Sequence, residues 1–341
     1  MPELPEVEVV RAGLAPAITG ATVTGVTVFD ERSLRRHAGP SEDFVDRLVG
    51  RSFASVERRG KFLWLPILPL KKMKEIGAET GANGVSSHER AASPSFSETA
   101  LSETTPSETT PSETALLETA LSKALVVHLG MSGQVLLRAP GAELDRLTRI
   151  RIDALHPEHG ELRVDFVDQR IFGSMAIDSL VAAPDGAGDF VPAQVVHIAR
   201  DPMDARFDDA KFLESLRKRN TGIKRALLDQ TLISGIGNIY ADEALWAARI
   251  HYDQPTSTLA LPRAKTLLAE VRLVLGKALA EGGTSFDAQY VNVNGASGYF
   301  SHSLNAYGQH GQPCPRCGRP IVREQFMNRG SHFCPWCQKV R

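Results

Sequence analysis

Residues 314–337 read CPRCGRPIVREQFMNRGSHFCPWC and contain all four cysteines of this 341-residue chain. The cysteines form two C-x2-C pairs, Cys314 with Cys317 and Cys334 with Cys337, separated by 16 residues. This spacing is typical of a four-thiolate zinc site. Two disulfides are the alternative, but the chain begins without the basic and apolar segments of a signal peptide. Because four protein ligands leave no coordination position for water, the sequence predicts one structural Zn2+ that stabilises a β-hairpin.

Between the two cysteine pairs, Arg329 lies at the predicted hairpin tip, with Asn328 before it and Gly330 after it. A guanidinium on a rigid hairpin can bind a phosphate through two hydrogen bonds. An exposed turn arginine is more often only solvated, so its position on the zinc hairpin is what favours a functional role. A zinc-finger regulator is a further class, but its recognition helix would occupy the stretch that here has the pattern of a hairpin.

Upstream, residues 232–240 read LISGIGNIY and join two predicted helices through a turn with two glycines. Glycine lets backbone amides approach a ligand closely, and the N-terminus of the next helix, where Asn238 lies, favours an anion such as a DNA phosphate. An ordinary interhelical loop with an asparagine cap is the plainer alternative. The segment predicts a helix-two-turns-helix motif.

Apolar residues at helical spacing surround this motif and predict a helical domain over residues 205–305. The predicted helices are residues 210–218, 223–232, 239–248 and 262–280. A polar loop, residues 284–303, then leads into the zinc module, residues 306–341.

Residues 1–200 have the pattern of an antiparallel β-sandwich preceded by one helix. Val7, Val10 and Leu14 share one face of a helix over residues 5–15, and a strand with alternating apolar residues follows near residue 26. Further predicted strands are residues 61–67, 124–129, 134–138, 148–152 and 162–167. The predicted fold class is α+β, with an N-terminal antiparallel β-sandwich, a C-terminal helix-two-turns-helix domain and a β-hairpin zinc finger.

A low-complexity segment, residues 71–123, lies between two of these predicted strands. It is rich in Ser, Thr, Glu and Ala, and Ser-Glu-Thr recurs from residues 97, 102, 107 and 112. With Phe96 as its one aromatic residue, it cannot bury enough apolar area to offset the entropy of ordering. We expect it to be a disordered insertion.

The formal net charge is −1, and the insertion holds five basic and eight acidic residues of the 39 and 40 in the chain. The remainder is only slightly basic, so phosphate binding must come from local clusters such as Arg58, Arg59 and Lys61, or residues 217–219. The longest apolar run, residues 62–70, is short and contains two prolines, so we expect no membrane span. These features predict a cytoplasmic protein.

Residues 1–6 read MPELPE and would place a secondary amine beside a carboxyl group once Met1 is removed. A chain-terminal amine titrates near pH ~8, so a useful fraction is nucleophilic at neutral pH. Attack on an aldehyde-like carbon would give an iminium. Taken alone, Pro2 merely starts the chain and Pro5 opens a helix. The nucleic-acid signals at the other end of the chain favour the catalytic interpretation.

Together these motifs resemble those of bacterial formamidopyrimidine-DNA glycosylases, bifunctional enzymes that remove 8-oxoguanine and ring-opened purines and cleave the resulting abasic site. The resemblance covers the chain outside the insertion. Its carriers are residues 2–6 (PELPE), 59–61 (RGK), 128–133 (HLGMSG), 168–173 (DQRIFG), 235–241 (GIGNIYA) and the zinc module with Arg329.

The resemblance implies that Pro2 attacks the deoxyribose C1′ carbon and that Glu3 is the general acid for opening the sugar ring. It makes Lys61 a phosphate contact and a proton donor, and it places Arg329 in the catalytic set. β- and δ-elimination from the Schiff base would then cut the strand on both sides. The residues implied to hold the phosphates flanking the flipped nucleotide are His128, Asn238 and Arg329.

The same resemblance assigns Met131, Arg170 and Phe172 to the space that the flipped base leaves. Met131 and Phe172 can wedge between base steps, and Arg170 can hydrogen-bond the orphaned cytosine. Without the family context, burial in the core would be the better prediction for both apolar residues. Ile171 departs from the pattern, since relatives often carry a polar or basic residue there.

The sequence therefore predicts a monomeric base-excision-repair enzyme that acts on double-stranded DNA containing oxidised bases. Lys224 matches a lysine near the damaged base, and residues 297–300 match a lesion-recognition loop. An enzyme similar to endonuclease VIII, which prefers oxidised pyrimidines, is the nearest alternative, and Leu4 with that loop favours the purine-specific group. A DNA-binding protein without turnover is another, against which the joint presence of nucleophile, acid and lysine argues.

Overall fold

The computed structural model describes residues 2–69, 122–284, 293 and 300–341. Residues 71–121 of the predicted insertion lie outside the described residues, as do residues 297–299 of the predicted lesion-recognition loop. Within the described ranges, no helix has both the length and the apolar character needed to cross a membrane.

Helix α1 opens the N-terminal domain, and the other long helices lie after residue 205. The α-helices of the described residues are α1 (Leu4–Ile18), α2 (Ser41–Asp46), α3 (Asp209–Lys218), α4 (Ile223–Leu228), α5 (Asn238–Ala247) and α6 (Leu261–Ala280). Helix α4 ends at Leu228, four residues before residue 232, where the sequence predicts its end. The reason is Asp229, which has an extended conformation and whose Oδ1 accepts a hydrogen bond from Thr231 N at 2.9 Å.

Two antiparallel sheets form the N-terminal domain. Their strands are β1 (Thr22–Val28), β2 (Glu57–Arg59), β3 (Phe62–Ile67), β4 (Lys123–His128), β5 (Gly133–Arg138), β6 (Thr148–His156), β7 (Gly160–Asp168), β8 (Ser174–Ala182) and β9 (Phe190–Pro192). One sheet has the order β1-β6-β7-β5 and the other β2-β3-β4-β8-β9. The α+β class and the antiparallel β-sandwich are confirmed, while β2, β8 and β9 were not among the predicted strands.

Strands β3 and β4 are buried on both faces, which explains their continuous apolar runs. Leu63, Leu65 and Val127 face the core shared by the two sheets and α1. Phe62 and Trp64 face a second cluster that residues 191–198 cover. In the β3–β4 pairing, Phe62 lies opposite His128 at one end and Ile67 lies opposite Lys123 at the other. The hairpin therefore has one end at the candidate site described below and one end at the insertion.

Leu4, at the start of α1, is fully buried in the core of the helical domain, although it belongs in sequence to the N-terminal domain. Its backbone N–H donates to Gly235 O at 2.9 Å. A Cβ on Gly235 would lie 2.7 Å from the Leu4 side chain, and Gly235 has φ +85. Gly235 lies in residues 232–240, which we call the two-turn segment. Its lack of a side chain allows the start of the chain to pack against the helical domain.

The zinc module is a hairpin of β10 (Val322–Phe326) and β11 (Arg329–Phe333). Phe326 pairs with Arg329, so the two-residue tip is Met327 and Asn328, and Arg329 is the first residue of β11. The hairpin is confirmed, and the tip lies one residue earlier than predicted.

Candidate active site and nucleic-acid interface

Glu3 occupies a socket at the N-terminus of helix α5. Its Oε2 accepts a hydrogen bond from Gly237 N at 2.7 Å, and its Oε1 accepts one from Ile239 N at 3.0 Å. A Cβ on Gly237 would lie 2.3 Å from Glu3 Cδ, so glycine is what permits the close approach. Burial raises the pKa of Glu3, against the lowering effect of Lys61 and of the two amides. The carboxyl group therefore holds its proton to a higher pH than a free glutamate.

Glu6 fixes the backbone that presents Pro2 and Glu3. Its Oε2 accepts from Glu3 N at 2.8 Å, and its Oε1 accepts from Tyr240 O–H at 2.6 Å and from Thr284 N at 2.8 Å. Pro2, which directly precedes Glu3 in the chain, is buried. The predicted nucleophile and the predicted acid are adjacent on a segment that the helical domain holds from several sides.

Lys61 follows the tight turn between β2 and β3. At this turn Gly60 has φ +58, and a Cβ there would lie 2.8 Å from Ser234 Cβ, so the turn is pressed against the two-turn segment. Lys61 Nζ donates to Ile236 O at 3.0 Å. Burial lowers the pKa of Lys61, and Glu3 opposes this. The structure thus brings the lysine to the same helix terminus as the glutamate.

We call Pro2, Glu3 and Lys61 the catalytic corner, after the roles predicted for them. Its lysine lines a cavity of about 670 Å³ between the N-terminal domain and the helical domain. Other residues that line the cavity include His128, Arg219, Arg225, Met327 and Arg329. A concave wall with several cations suits a polyanion such as DNA.

His128 is neutral at physiological pH in this cavity. Burial, together with the neighbouring cations Arg36, Lys61 and Arg35, lowers the pKa of His128 to about 4. Gly130 N donates to His128 Nδ1 at 3.1 Å, so the proton of the neutral ring lies on Nε2. The ring can therefore donate a hydrogen bond to a phosphate oxygen without changing its charge. Its predicted phosphate contact stays a prediction.

Asn238 and Arg329 meet where helix α5 contacts the zinc hairpin. Asn238 Nδ2 donates to Gly330 O at 3.0 Å, directly beside Arg329 in the chain. Asn238 is 8% exposed, and its buried Oδ1 has no hydrogen-bond partner in the described part of the chain. Arg329 is exposed and lines the cavity. The arginine is thus accessible to a ligand, whereas the asparagine also joins two elements.

Lys224 is completely buried, in an ion pair with Asp242 at an Nζ–Oδ1 distance of 2.6 Å. Asp242 also accepts hydrogen bonds from Ser331 Oγ at 3.0 Å and His332 N at 2.8 Å. Burial lowers the pKa of Lys224, and Asp242 opposes this. The pair joins helices α4 and α5 to the hairpin that carries Arg329. A contact of Lys224 near a damaged base stays a prediction.

We call Met131, Arg170 and Phe172 the wedge. Phe172 is 52% exposed and Met131 is 38% exposed, and Arg170 is also exposed. The plainer expectation, that the two apolar residues belong to the core, is therefore wrong. Exposed large apolar side chains near a cationic cavity suit insertion between DNA bases.

The carboxylate of Asp168 fixes the backbone of the wedge by accepting hydrogen bonds from its amide groups. Its Oδ1 accepts from Arg170 N at 3.1 Å and from Ser132 Oγ at 2.6 Å, and its Oδ2 accepts from Gly173 N at 2.7 Å. Asp168 is fully buried. One carboxylate thus ties the loop of Arg170 to the loop that follows Met131.

Arg35 holds the same backbone by its carbonyls, a role that the sequence analysis missed. Its guanidinium donates to Ile171 O at 3.0 Å, to Gly173 O at 2.8 Å and to Phe172 O. Ile171 has φ +56, a left-handed conformation that costs a β-branched residue roughly 1–2 kcal/mol. Three donors from one rigid group offset that cost. The pattern that could have indicated this is the run of basic residues at 35 and 36.

Two of the predicted phosphate-binding arginines have other roles. Arg58 pairs with Glu8 and Asp201, both at 2.8 Å, and Arg59 pairs with Asp189 at 3.3 Å. Both arginines are largely buried. The prediction that they form a phosphate cluster with Lys61 is wrong, because acidic residues distant in sequence neutralise them.

The four cysteines fit one zinc ion. Each offers an Sγ, and these atoms all lie within 4.8 Å of one another. A tetrahedral Zn2+ with Zn–S bonds of ~2.3 Å requires Sγ–Sγ distances of roughly 3.8 Å. Cys317 and Cys334 have an Sγ–Sγ distance of 3.5 Å. The zinc is structural, since four thiolates complete its coordination, and it stabilises the hairpin that carries Arg329.

The N-terminal sheets, the helical domain and the zinc hairpin together have the fold of a DNA glycosylase of the helix-two-turns-helix class. Residues 1–175 match the description "Formamidopyrimidine-DNA glycosylase N-terminal domain", and residues 198–289 match its "H2TH domain". Residues 311–340 match a "Zinc finger found in FPG and IleRS". The chain belongs to the formamidopyrimidine-DNA glycosylase family, whose members are DNA glycosylases with abasic-site lyase activity.

Similar proteins extend over the whole chain. It is 57% identical to a formamidopyrimidine-DNA glycosylase from Leifsonia xyli subsp. xyli, over 100% of both chains, and 46% identical to one from Streptomyces avermitilis, over 100% of this chain and 98% of the relative. A Lactococcus lactis Fpg bound to DNA with an abasic site has 26% identity and a TM-score of 0.71, over 99% of both chains. Another, bound to DNA containing N7-benzyl-Fapy-dG, has 27% identity and a TM-score of 0.72, over 99% of this chain and 100% of that one.

Proposed function

We propose that this chain excises oxidised purines, namely 8-oxoguanine and formamidopyrimidines, from double-stranded DNA and then cleaves the abasic site. The observation that carries the proposal is the catalytic corner, in which a carboxyl group with a raised pKa lies in the α5 socket next to Pro2 and near Lys61. Membership of the glycosylase family and similarity to Fpg bound to abasic and lesion DNA support it.

Pro2 is the nucleophile once Met1 has been removed. The lone pair of its secondary amine forms a bond to C1′ of the flipped nucleotide, and the C1′–N bond to the base breaks with its electron pair leaving on the base. The attacking nitrogen then loses its proton. Its lone pair expels the ring oxygen O4′, to which Glu3 donates a proton, and a C1′ iminium results. The raised pKa of Glu3 suits this step, because the acid must still hold its proton near neutral pH.

The iminium then draws electrons from the neighbouring carbon, so that a C2′ proton can be lost. The electrons of the C2′–H bond form a C2′–C3′ double bond and expel the 3′ phosphate in β-elimination. Loss of a proton from C4′ then expels the 5′ phosphate in δ-elimination. Lys61, whose pKa burial lowers, transfers protons more readily than a free lysine and lies in the same corner. His128, Asn238 and Arg329 bind the phosphates flanking the reacting sugar. Lys224 supports this arrangement close to the base.

The wedge fills the space that the flipped base leaves. Phe172 and Met131 enter the stack, and Arg170 hydrogen-bonds the orphaned cytosine. We propose further that the protein acts as a monomer, since every residue in this mechanism belongs to one chain. Its substrate is chromosomal DNA in the bacterial cytoplasm, and association with a membrane forms no part of the mechanism.

The test is borohydride trapping on a duplex with 8-oxoguanine opposite cytosine, with a thymine-glycol duplex alongside. Borohydride reduces the iminium to a stable amine, and mass analysis of the cross-linked peptide should give an N-terminus that begins at Pro2. A stronger adduct on thymine glycol would instead favour oxidised pyrimidines. Binding without any adduct would favour a DNA-binding protein without turnover. In Pro2→Gly, base release and strand cleavage should fall sharply, and unchanged rates would exclude the amine mechanism.

A further inference from the structure

Arg36 lies beside the cavity, on the side of the N-terminal domain. Its guanidinium carbon is 5.3 Å from the centroid of the Phe62 ring, and Phe62 lines the cavity together with Lys61 and His128. Arg36 is exposed, whereas Phe62 is buried. A guanidinium on an aromatic face is held in a preferred orientation and keeps its N–H donors free at the edge.

No carboxylate neutralises Arg36 among the described residues. Partial burial of the Arg36 guanidinium lowers its pKa and Arg35 lowers it further, and no acidic group opposes them. Arg32, four residues earlier, has the opposite environment: its guanidinium donates to both carboxylate oxygens of Asp30, at 2.9 and 2.7 Å. Two exposed arginines of one short segment thus differ in whether they have a counterion.

The surroundings of Arg36 are cationic. Arg36, Lys61 and Arg35 all act in the same direction on His128, whose pKa is lowered to about 4. Arg35 is already committed to three carbonyls of the wedge loop. Arg35 and Arg36 repel each other, and no acidic group offsets this at Arg36, so a bound anion would relieve the repulsion. The anion that fits a planar, outward-facing guanidinium is a phosphate.

We propose that Arg36 is an additional DNA phosphate contact, beside those of Lys61, His128 and Arg329, and that it contributes affinity rather than chemistry. This inference rests on the proposed function only in so far as DNA is the ligand. It requires binding to a duplex and requires no turnover.

The salt dependence of binding tests the proposal. The full-length protein is titrated with a fluorescent duplex carrying a tetrahydrofuran abasic analogue, at several salt concentrations. Loss of one phosphate contact reduces the steepness of log K against log salt by about 0.9. The ratio of wild-type affinity to Arg36→Gln affinity should therefore be about 3.5-fold larger at 50 mM salt than at 200 mM salt. Arg36→Lys keeps the charge and should keep most of the slope. Arg32→Gln, the matched control, should leave the slope unchanged.

Neutral linkages then locate the contact. Single methylphosphonate substitutions are placed along both strands, and one of them should weaken binding by the wild type but not by Arg36→Gln. A salt-independent loss of affinity in Arg36→Gln, with no linkage to which Arg36 couples, would assign the residue to packing on Phe62 and overturn the proposal. Release of 8-oxoguanine by the wild type is measured separately. If the wild type binds with the Arg36-dependent slope yet releases no base, the proposed function fails and the phosphate contact stands.

Discussion

The catalytic corner contributes Lys61 to the cavity, and the wedge adjoins the loop that follows His128, another lining residue, but the two are built in opposite ways. In the corner the side chains themselves are fixed: Glu3 is 2% exposed and accepts three hydrogen bonds from amides of the α5 terminus. In the wedge Asp168 and Arg35 fix the backbone, and Phe172 projects with 52% of its surface exposed. The corner therefore has its interactions before DNA arrives, whereas the wedge gains much of its contact area from DNA.

This difference is the one that the proposed roles of the two parts require. A general acid needs a defined pKa, which burial and fixed dipoles provide, and its position must not depend on the substrate. A wedge must cross solvent and replace a stacked base, so its side chains cannot be packed in the free protein. A fixed backbone lowers the entropy that is lost when these side chains insert. Substitutions in the corner should therefore affect the chemical step, and substitutions in the wedge should affect base flipping and opposite-base preference.

The largest effect is expected for Glu3→Gln. Glutamine has nearly the same shape but cannot donate an acidic proton, so the single-turnover rate of 8-oxoguanine release should fall by about 10²- to 10⁴-fold. Binding to a tetrahydrofuran duplex, measured in parallel, should change far less. A rate within a few-fold of the wild type would mean that Glu3 only supports the structure of the corner.

The pH dependence sharpens the same prediction. Because burial raises the pKa of Glu3, the acid is protonated below this raised value and loses its proton as the pH rises through it. The rate of the wild type should therefore fall on the alkaline side of its optimum, at a pH above the ordinary carboxyl range near ~4.3. The amine of Pro2 imposes the opposite trend on the acid side. In Glu3→Gln the alkaline fall should vanish from the residual rate, and its persistence would assign that limb to another group.

A smaller effect is expected for Phe172→Ala and Arg170→Ala. Neither side chain is packed in the free protein, so thermal stability should stay within about 0.5 kcal/mol of the wild type. Phe172→Ala should slow base flipping, measured by 2-aminopurine fluorescence next to the lesion. Arg170→Ala should instead reduce the preference for cytosine over adenine opposite the lesion. Loss of stability without either kinetic change would place these side chains in the fold and not in the wedge.

A still smaller effect is expected for Arg35→Lys. Lysine keeps the charge but cannot donate to three carbonyls in one plane, so the left-handed Ile171 loses its support. The preference for cytosine should weaken by a few-fold, with little change in the salt slope of binding. Adding Ile171→Gly should restore part of the preference, because glycine adopts a positive φ without the β-branched penalty. If the preference for cytosine is unchanged in Arg35→Lys, the hydrogen bonds to the three carbonyls do not support the wedge.

The same contrast explains what the sequence could and could not predict. Strands β3 and β4 follow from their apolar runs, and the zinc module follows from four cysteines at fixed spacing, because these patterns are local. The pairing of Arg58 with Asp201 joins residues 143 apart in sequence, and nothing in the run Arg58-Arg59 indicates it. The burial of Lys224 and the left-handed Ile171 likewise depend on Asp242 and Arg35, which only the folded chain brings near. The local patterns therefore gave no indication of contacts between residues distant in sequence.

No measurable effect on catalysis is expected from deleting residues 71–121. Phe62 and His128 pair at the end of the β3–β4 hairpin that lies beside Lys61, whereas Ile67 and Lys123 pair at the other end. The step from Phe62 to Ile67 is five residues along β3, so the two ends lie roughly 17 Å apart. A short turn can replace the insertion, since adjacent antiparallel strands need only two residues to connect them. Base release and the salt slope should match those of the full chain. A slower release with unchanged folding would mean that the insertion reaches the cavity from the far end of the hairpin.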